Sequence, residues 1–550
     1  MLVAYAADCV GLRFLPWPML VVGLVAGAVV YRVMSGVPAY RVRTGRVPDV
    51  TPAGIDLFVW AAIVVAAGGW LIWLARPDLL PLATGPDLTH HLLLIDFLER
   101  HWRLVHDPAL AVQMGEMAQY TPGSQLLAAL AGAWSGTDGL RALHPLLALT
   151  VAWKAGFVFL IALRMLPSDT PRVPLATVAV LLALAAPGYA LGSFTEFGFV
   201  AQVVAELFVV ALWWIAVAWT ARPELWLAVT FSVLASATFL TWPIYTGPAF
   251  LTFALVVGLR GGLTRSVRIR DLLASMGLPV VVAIAYAAVR LGWLRMAGTS
   301  GFVPWPSISR YSLALVVLSC VGLVCAALRA RARATAVFVG AIALQSTALY
   351  LLAVRSGADR PYMALKMFYL LLWPMTACAA LAIAEAWSFA RRRLRRGAIG
   401  SQPRSIELLF ACVLVAGVGT AVARPLARSP RLLHPLPPAV SAPLYAAGRW
   451  ARANLPPGCI EYLVGDDETA YWLHLAVLGN PRMVPRSGDD STYEPKDALV
   501  RWLTPNGLPY AIADLPALPR DVRNDLDIVQ RFGTAAVVRR RGPYACTESP

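Results

Sequence analysis

Charged residues are scarce in this sequence. Asp, Glu, Lys and Arg make up 14% of its 550 residues, whereas hydrophobic residues make up 58%. The mean hydropathy of +0.64 is far from that of an average soluble globular protein. The composition therefore excludes a soluble nucleic-acid-binding protein and predicts a polytopic α-helical membrane protein.

Lysine is nearly absent. Of the 47 basic residues, only Lys154, Lys366 and Lys496 are lysines, and the others are arginines. The arginines lie mostly in short loops between apolar runs, as the residues that orient membrane proteins do. The net charge of +16 thus indicates membrane orientation and does not point to a nucleic-acid partner.

Cysteine is also rare, with seven in the chain, and the segment 429–550 contains two of them, Cys459 and Cys546. Disulfides form in oxidising compartments outside the cytoplasm. If this segment lies outside, Cys459 and Cys546 form either a disulfide or two separate thiols.

Apolar runs that approach the length of a bilayer-spanning helix, about 20 residues, are abundant. The first run, Phe14–Met34, is too long for the apolar part of a secretory signal and is preceded by a single cation, Arg13, so we predict that it is a span. The twelve predicted spans are 14–34, 55–75, 143–165, 173–192, 199–220, 224–241, 244–260, 271–293, 311–329, 334–354, 362–388 and 406–424.

Two stretches leave the number of spans open. Residues 224–260 form either one kinked helix or two short helices broken at Trp242-Pro243, and residues 122–136 are short for a span. Cytoplasmic loops are rich in arginine, which favours two crossings by 224–260 and none by 122–136. The alternative, with one crossing by each stretch, keeps the main arginine clusters inside but moves three single arginines. The preferred arrangement places in the cytoplasm Arg41, Arg43, Arg46, Arg164, Arg172, Arg222, Arg260, Arg265, Arg268, Arg270, Arg329, Arg331, Arg333, Arg391, Arg392, Arg393, Arg395 and Arg396.

Both arrangements place residues 76–121 and the C-terminal tail on the outer face. Within the first outer loop, 76–142, residues 86–106 are predicted to form an amphipathic helix along the membrane surface, since apolar residues recur at spacings of three and four. Residues 122–136 are predicted to form a second interfacial or partly inserted helix. The apolar positions of the first helix are Leu88, Leu92, Ile95, Leu98, Trp102 and Val105.

The composition changes near residue 430, where clustered prolines indicate a linker. We therefore divide the chain into a transmembrane domain, 1–428, and a soluble extracytoplasmic domain, 429–550, of α/β or α+β type. The predicted elements of the second domain are a helix at Leu444–Asn454, a strand at Ile460–Val464, a turn at Gly465–Asp467, a helix at Glu468–Leu478 and a strand at Ala535–Arg539.

Asp87 is the first candidate for a catalytic group. It begins the predicted surface helix, where its carboxylate can face a cleft at the membrane boundary, and ionisable groups at a membrane suggest function because they are costly. His90 and His91 follow three and four residues later, on the same side of a helix. The alternative is an acidic residue that stabilises a first helical turn. Two histidines are too few for a metal site.

Glu196 is the second candidate, as the single charge in the short outer loop Ser193–Gly198. Gln202 and Glu206 continue at helical spacing into the next span. A buried Glu206 requires a partner or a cavity. The alternative is a loop carboxylate together with a hydrogen bond between helices.

Basic residues also occur where the orientation rule does not favour them. Arg295, Arg310, Arg355 and Arg360 fall in outer loops, and Lys366 lies about one helical turn inside the membrane boundary. Such residues can hold a phosphate or pyrophosphate group of a lipid-linked substrate. The alternative is that they extend to lipid headgroups.

These elements together resemble the GT-C superfamily of membrane glycosyltransferases, which use polyprenyl-phosphate sugars as donors. Members carry an essential acidic residue in a long first outer loop, then a proline-containing turn before a Leu/Ala-rich helix, a span ending in Arg, and a second acidic position on the outer face. The matching elements are Asp87, Tyr120–Leu127, the span ending at Arg164, and Glu196. Two features depart from the family pattern: one extra span precedes the acidic loop, and Leu88 replaces the second residue of an acidic pair.

The resemblance implies a multi-pass enzyme of the cytoplasmic (inner) membrane that moves a sugar from a polyprenyl-phosphate donor to a glycan, lipid or protein acceptor on the outer face. Asp87 would be the general base, Glu196 would orient acceptor or donor, and the sugar configuration would invert. Lys366 with Arg360 or Arg295 would stabilise the departing polyprenyl phosphate. No cofactor follows, and the missing acidic pair does not indicate a divalent metal. The remaining predicted substrate-binding residues are His90, His91, Tyr120 and Gln202.

The competing interpretation is a secondary transporter or a flippase of lipid-linked oligosaccharides, for which twelve spans are ordinary. Transporters often contain repeated halves and polar breaks at the membrane midplane. The sequence shows no clear repeat, and its candidate charges cluster at one face. A non-catalytic scaffold would explain the tail but not Glu206 and Lys366 within the apolar region.

Overall fold

The computed structural model describes residues 1–35, 54–82, 86–106, 114–186, 192–289, 303, 312–397, 416–417, 419–420, 434–456, 458–480, 495–504, 507–524 and 526–541. The helices are α1 Leu2–Cys9, α2 Pro16–Ser35, α3 Gly54–Leu74, α4 Pro86–His101, α5 Gly123–Ser135, α6 Gly139–Met165, α7 Arg172–Leu184, α8 Gly192–Thr195, α9 Val200–Ala221, α10 Leu225–Thr241, α11 Thr246–Leu259, α12 Arg265–Val289, α13 Leu313–Leu328, α14 Arg333–Arg355, α15 Tyr362–Gly397, α16 Ala442–Asn454, α17 Asp467–Trp472, α18 Pro495–Leu503 and α19 Arg520–Asn524. The strands are β1 Ile460–Leu463, β2 Tyr510–Asp514, β3 Asp527–Phe532 and β4 Ala535–Arg539.

The predicted fold class, a polytopic helical membrane protein, is confirmed. Each of the eleven predicted spans before residue 400 coincides with a helix. Six helices (α3, α6, α9, α12, α14 and α15) are long and apolar enough to cross a membrane, and shorter apolar helices cover the other five predictions. The twelfth predicted span, 406–424, lies largely outside the described residues. The short helix α1 was not predicted.

The chain breaks at Trp242-Pro243, as the preferred arrangement requires. Helix α10 ends at Thr241, Pro243–Tyr245 form a single 3₁₀ turn, and α11 begins at Thr246. Proline cannot donate the backbone hydrogen bond that would continue α10. Helix α5 has 13 residues and is therefore about 20 Å long, too short to cross a hydrocarbon core of about 30 Å.

Many of the arginines predicted to be cytoplasmic gather at one end of the helical bundle. Arg331 donates to the carbonyl of Leu166, directly after α6, at 3.2 Å. The charges of Arg172 and Arg222 both act on Arg164. Residues from three different connections thus meet at this end, opposite the end that carries the first loop.

Helix α4 is the predicted amphipathic helix of the first loop, but it is shorter and more deeply covered than expected. It ends at His101 because Trp102 has a positive φ of 48°, which a right-handed helix cannot continue through. One side of α4 packs on α5 and α6, and the side expected to face water packs on Leu473–Val477 of the C-terminal region. The helix is therefore held between two parts of the protein and does not lie open at a surface.

The C-terminal region forms a small mixed sheet in the order β1-β2-β4-β3. Strands β1 and β2 are parallel, and β4 pairs antiparallel with both β2 and β3. The predicted strand Ala535–Arg539 matches β4, and α16, β1 and α17 lie where a helix, a strand and a helix were predicted. Helix α17 continues into a π-helical turn at Leu473–Val477. Strands β2 and β3 and helices α18 and α19 were missed.

The segment before this domain is packed against the membrane part of the chain. The backbone N–H of Leu436 donates to the carbonyl of Leu74 at 2.7 Å, and that of Ala439 donates to the carbonyl of Pro81 at 2.9 Å. The described part of the predicted linker is therefore fixed beside the start of the first loop. Pro430 lies outside the described residues. Cys459 is disulfide-bonded, and Cys546, the candidate partner in one of the two alternatives, also lies outside them.

Candidate active site

Asp87 lies in the first turn of α4, with an exposed side chain. The following residues Leu88, Thr89 and His90 are buried. The N-terminal end of a helix carries partial positive charge, which favours a carboxylate there. The fold thus anchors the helix firmly and leaves the Asp87 carboxylate accessible at its start.

The loop that carries Glu196 packs directly on this helix start. Gly198 has a φ of +64°, and a Cβ atom at this position would lie 2.7 Å from the Cβ of Leu88. Only glycine permits this approach without displacement of the neighbour. The two loops that carry the predicted acidic residues Asp87 and Glu196 are therefore in contact. The Glu196 side chain itself is exposed.

Lys366 lies one turn into α15, and its side chain is 1% exposed. Its ammonium group sits over the rings of Phe199 and Tyr362. Tyr245 donates from its hydroxyl to the backbone carbonyl of Lys366 at 2.8 Å, which fixes the helix at this point. A buried ammonium group loses its hydration and therefore needs negatively charged groups nearby.

Two carboxylates supply that negative charge. Both Asp87 and Glu206 attract the Lys366 ammonium electrostatically. The fold thus brings the predicted general base and the predicted phosphate-binding cation, which are far apart in the sequence, within electrostatic range of each other. Glu206 extends the cluster from the helix boundary into the apolar region.

Glu206 has the partner that its burial requires. The Lys154 ammonium lies 2.8 Å from Glu206 Oε2, and both side chains are at most 2% exposed. Gln202 Nε2 donates to Glu206 Oε1 at 3.1 Å, and the indole of Trp373 donates to Oε2 at 3.3 Å. Gln202, predicted to bind substrate, therefore uses its amide nitrogen on Glu206.

His91 and Tyr120, both predicted to bind substrate, lie next to each other, and each contacts other protein side chains. Gln125 donates from Nε2 to His91 Nδ1 at 2.6 Å. The Tyr120 ring meets that of His91 edge-on at 5.2 Å and that of Trp242 at 5.7 Å between centroids. Both side chains are buried. They position α5 beside α4 and form a wall behind the helix that carries Asp87.

The segment Tyr120–Leu127 approaches the end of α10 closely. Thr121 Oγ1 donates to the carbonyl of Thr241 at 3.1 Å. A Cβ atom on Gly123 would lie 2.7 Å from the carbonyl oxygen of Leu240. The glycine after Pro122 thus permits contact between the start of α5 and the break at Trp242.

His90 points away from His91 and reaches the C-terminal domain. Its Nε2 lies 2.8 Å from the hydroxyl of Tyr471 in α17. His90 is three residues from Asp87, so the first turn of α4 is held by a side chain from the C-terminal domain. The two histidines therefore serve two different contacts rather than one site.

The predicted outer arginines differ from Lys366 in their surroundings. Arg360 is exposed in the loop before α15, and its carbonyl accepts from the N–H of Tyr362 at 2.8 Å. Arg295 and Arg310 lie outside the described residues. Across the ranges that the structure describes, no group of three or more His, Cys, Asp or Glu side chains is placed to hold a metal ion.

Lys154 is the site residue that the sequence analysis missed. It lies within a predicted span, in a chain with three lysines, and these two facts were the available signal. Its partner could not be read from spacing, because Lys154 and Glu206 are 52 positions apart on α6 and α9.

No protein-family model matches the sequence, and no curated protein matches it. Among solved structures, the chain is similar to the oligosaccharyltransferase AglB of Archaeoglobus fulgidus, determined in complex with an inhibitory peptide and a dolichol-phosphate, at 13% identity and a TM-score of 0.47. A second structure of the Archaeoglobus fulgidus oligosaccharyltransferase, tethered to an acceptor peptide containing the NVT sequon, gives 14% identity and a TM-score of 0.48. Each of these two matches covers 84% of this chain and 69% of the other.

The chain is also similar to ArnT from Cupriavidus metallidurans in the apo state, at 14% identity and a TM-score of 0.45. This match covers 88% of this chain and 97% of ArnT.

Proposed function

We propose that this protein is a membrane glycosyltransferase of the GT-C type, which transfers a sugar from a polyprenyl-phosphate donor to a glycan, lipid or protein acceptor. The observation that carries the proposal is the electrostatic attraction between the exposed Asp87 carboxylate at the start of α4 and the buried Lys366 ammonium. Sugar transfer from a lipid phosphate needs two groups, a base for the acceptor hydroxyl and a cation for the departing phosphate. An exposed carboxylate and a cation at the edge of an apolar helical bundle can supply both.

Asp87 acts as the general base. Its exposed carboxylate accepts the proton of the acceptor hydroxyl while that oxygen attacks the anomeric carbon. The bond from the acceptor oxygen to the anomeric carbon forms as the bond from that carbon to the phosphate oxygen breaks. Because this is a single displacement, the configuration at the anomeric carbon inverts.

Lys366 stabilises the leaving group. The electron pair of the broken bond stays on the phosphate oxygen, so the polyprenyl phosphate gains one negative charge. Asp87 loses one negative charge when it takes the proton. The total charge near Lys366 is therefore unchanged, and a cation in an apolar setting stabilises the charge that moves to the phosphate.

The neighbouring residues have supporting roles. Glu196, in the loop that packs on Leu88, orients the acceptor or donor from the exposed side. Arg360, exposed before α15, attracts the phosphate group from the membrane surface. His90 and His91 hold the first turns of α4 through Tyr471 and Gln125. These four residues thus shape the site, and Asp87 and Lys366 carry the chemistry.

The site faces the outer side of the cytoplasmic membrane in this proposal. The arginines gathered around Arg164 occupy the opposite end of the bundle, as cytoplasmic arginines do. The disulfide at Cys459 fits an oxidising compartment for the C-terminal domain. A lipid-linked donor presented at the outer face would then approach the exposed Asp87 carboxylate at the start of α4.

The proposal is tested by lipid analysis in the native host. Polyprenyl-linked sugars and surface glycans are compared between wild type, a deletion strain, and Asp87→Asn at matched protein levels. We expect the deletion and Asp87→Asn to accumulate the same polyprenyl-phosphate sugar and to lose the same glycan linkage. If the deletion changes these pools and Asp87→Asn does not, Asp87 is not the base, and the transporter or flippase interpretation replaces the enzyme.

A further inference from the structure

One buried carboxylate contacts one of the three lysines of the chain and attracts a second. Lys154 of α6 pairs with Glu206 of α9 at 2.8 Å, and Glu206 also attracts Lys366 of α15. All three side chains are at most 2% exposed. Three separate helices therefore contribute to one cluster of charges inside the apolar region.

The Glu206 carboxylate is fixed by hydrogen bonds in addition to its contact with Lys154. Gln202 and Trp373 donate to its two oxygens at 3.1 Å and 3.3 Å. Trp373 lies seven residues after Lys366, two turns along the same face of α15. The Lys154 ammonium also lies 5.0 Å from the centre of the Trp373 ring. The carboxylate is thus held in place by groups that do not need Lys366.

An ion pair at such depth has a cost. Removing two charges from water costs several kcal/mol per ion, and a well-packed apolar pair is often as stable. Stability alone therefore does not account for Lys154 and Glu206. The pair also has an effect on Lys366. A carboxylate that is already neutralised by Lys154 attracts Lys366 less strongly than an unpaired carboxylate would.

We propose that Lys154 is a positioning residue for the phosphate of the lipid donor. The Lys154 ammonium neutralises the Glu206 carboxylate, so that the charge of Lys366 remains available to bind the phosphate. This inference rests on the proposed function, because it requires a phosphate-bearing lipid at Lys366. Without Lys154, the full charge of Glu206 would act on Lys366 and would repel an incoming phosphate.

The charges in the cluster make the direction of the effect specific. Lys154 and Lys366 contribute two positive charges, and Glu206 and Asp87 contribute two negative ones. Removing Lys154 leaves a net negative cluster, which disfavours an anion. Removing both Lys154 and Glu206 restores the balance and leaves Lys366 with Asp87 alone.

The test measures binding of undecaprenyl phosphate to the purified full-length protein in detergent, by native mass spectrometry. The variants are Lys154→Met, Glu206→Gln and the double variant, with undecaprenol as the probe that lacks phosphate. Glu385→Gln is the matched control, because it removes an ion pair of α15 with Arg329 (2.7 Å) at the other end of the helix. Melting temperatures of all variants are measured in parallel.

We expect Lys154→Met to weaken undecaprenyl phosphate binding at least tenfold, and we expect the double variant to bind as tightly as wild type. Undecaprenol binding and the Glu385→Gln control should not change. Equal phosphate binding by Lys154→Met and wild type would overturn the inference, as would a double variant as weak as Lys154→Met. If wild type binds the two lipids equally, the proposed function fails instead.

A second variant keeps the test decisive if Lys154→Met does not fold. By the same reasoning, Glu206→Gln should bind undecaprenyl phosphate at least as tightly as wild type, because the competing carboxylate is gone. A folded Glu206→Gln protein that binds more than tenfold more weakly would contradict the inference, since it would show that Glu206 supports the bound phosphate.

Discussion

Gly198 lies directly against Leu88, so that the loop with Glu196 and the helix with Asp87 meet through a residue without a side chain. A Cβ atom at Gly198 would be 2.7 Å from the Cβ of Leu88, and the backbone there has a φ of +64°. Leu88 is buried and adjoins Asp87 in the sequence. Any displacement of Leu88 must therefore move the Asp87 carboxylate as well.

The first prediction follows from this contact. Gly198→Ala should lower the rate of sugar transfer about 100-fold, since a displacement of about 1 Å can have that effect on a positioned group. Gly136→Ala is the matched control, because Gly136 also has a positive φ (+70°) but has no neighbour within 4 Å of an added Cβ. Both variants should lose about 1–2 kcal/mol from backbone strain. Equal activity of the two variants would show that the contact with Leu88 is unimportant.

A second prediction concerns the attachment of the C-terminal domain to α4. Asp96 is 3% exposed and contacts Arg452 and Arg100, and it lies 3.8 Å from Arg449. Asp96→Asn should destabilise the docked domain by about 3 kcal/mol, as expected when one partner of a buried ion pair is removed. The loss of stability is measured as faster cleavage of the C-terminal domain by a protease and as a lower melting temperature.

The control for Asp96 is an exposed ion pair in the same domain. Asp527 lies 2.8 Å from Arg539, and both side chains are exposed to at least 34%. Asp527→Asn should change stability by no more than about 1 kcal/mol. If Asp96→Asn behaves in the same way, the charged contact does not hold the domain on α4.

A third prediction is a pH dependence at the same interface. Burial raises the pKa of Glu99 from 4.5 to about 7, and the carboxylates of Asp138 and Asp96 act in the same direction, against the N–H of Gly139 and the charge of Arg449. The folded state therefore binds this proton more tightly than the unfolded chain. Its contribution to stability is complete below about pH 4.5 and is lost as the pH rises through about 7.

The melting temperature should accordingly fall between pH 5 and pH 8, and Glu99→Gln should reduce that slope. Glutamine keeps the shape and an acceptor for the N–H of Gly139, which lies 2.5 Å from Glu99 Oε1. An unchanged slope in Glu99→Gln would mean that another group titrates in this range.

A fourth prediction separates the two cations that the sequence left as partners. Lys366 is buried beside Asp87, whereas Arg360 is exposed in the preceding loop. Lys366→Met should lower transfer at least 100-fold, because it removes the charge that stabilises the leaving phosphate. Arg360→Ala should raise the KM for donor only a few-fold, since exposed charges are screened. Rates measured over a range of donor concentrations distinguish these effects, and similar losses in both variants would contradict the assignment.

Much of the helical architecture could be predicted from the sequence. Long apolar runs have few other structures available in a membrane, because each backbone polar group must be satisfied within its own helix. The break at Trp242-Pro243 was also readable, since proline ends a helix. The arginine distribution favoured two crossings by 224–260 and none by 122–136, and the chain break at Trp242-Pro243 and the shortness of α5 agree with that preference.

The contacts between distant segments could not be predicted in the same way. Asp96 and Arg452 are 356 positions apart, and nothing in either local sequence indicates the other. The Lys154–Glu206 pair likewise depends on the order in which helices pack. The polar side of α4 was expected to face water, but it is covered by the C-terminal region. Amphipathic spacing shows which side of a helix is polar and does not show what packs on that side.

In the C-terminal domain the sequence pattern was weakest for two strands. β2, Tyr510–Asp514, is a short apolar run, which periodicity cannot distinguish from a buried helix segment. β3, Asp527–Phe532, is an exposed edge strand without a regular alternation of buried residues. β4, in contrast, combines β-branched residues with a turn before it, and its predicted bounds agree with the structure.

The central claim, that Asp87 is the general base, is tested most directly by the rate of sugar transfer in isolated membranes at saturating donor. Asp87→Asn is compared with Asp78→Asn, a carboxylate in the same first loop that lies before α4, at equal protein levels. The account predicts a loss of at least about 100-fold in Asp87→Asn, the usual contribution of a general base, and a normal rate in Asp78→Asn. Transfer at the wild-type rate by Asp87→Asn would contradict it.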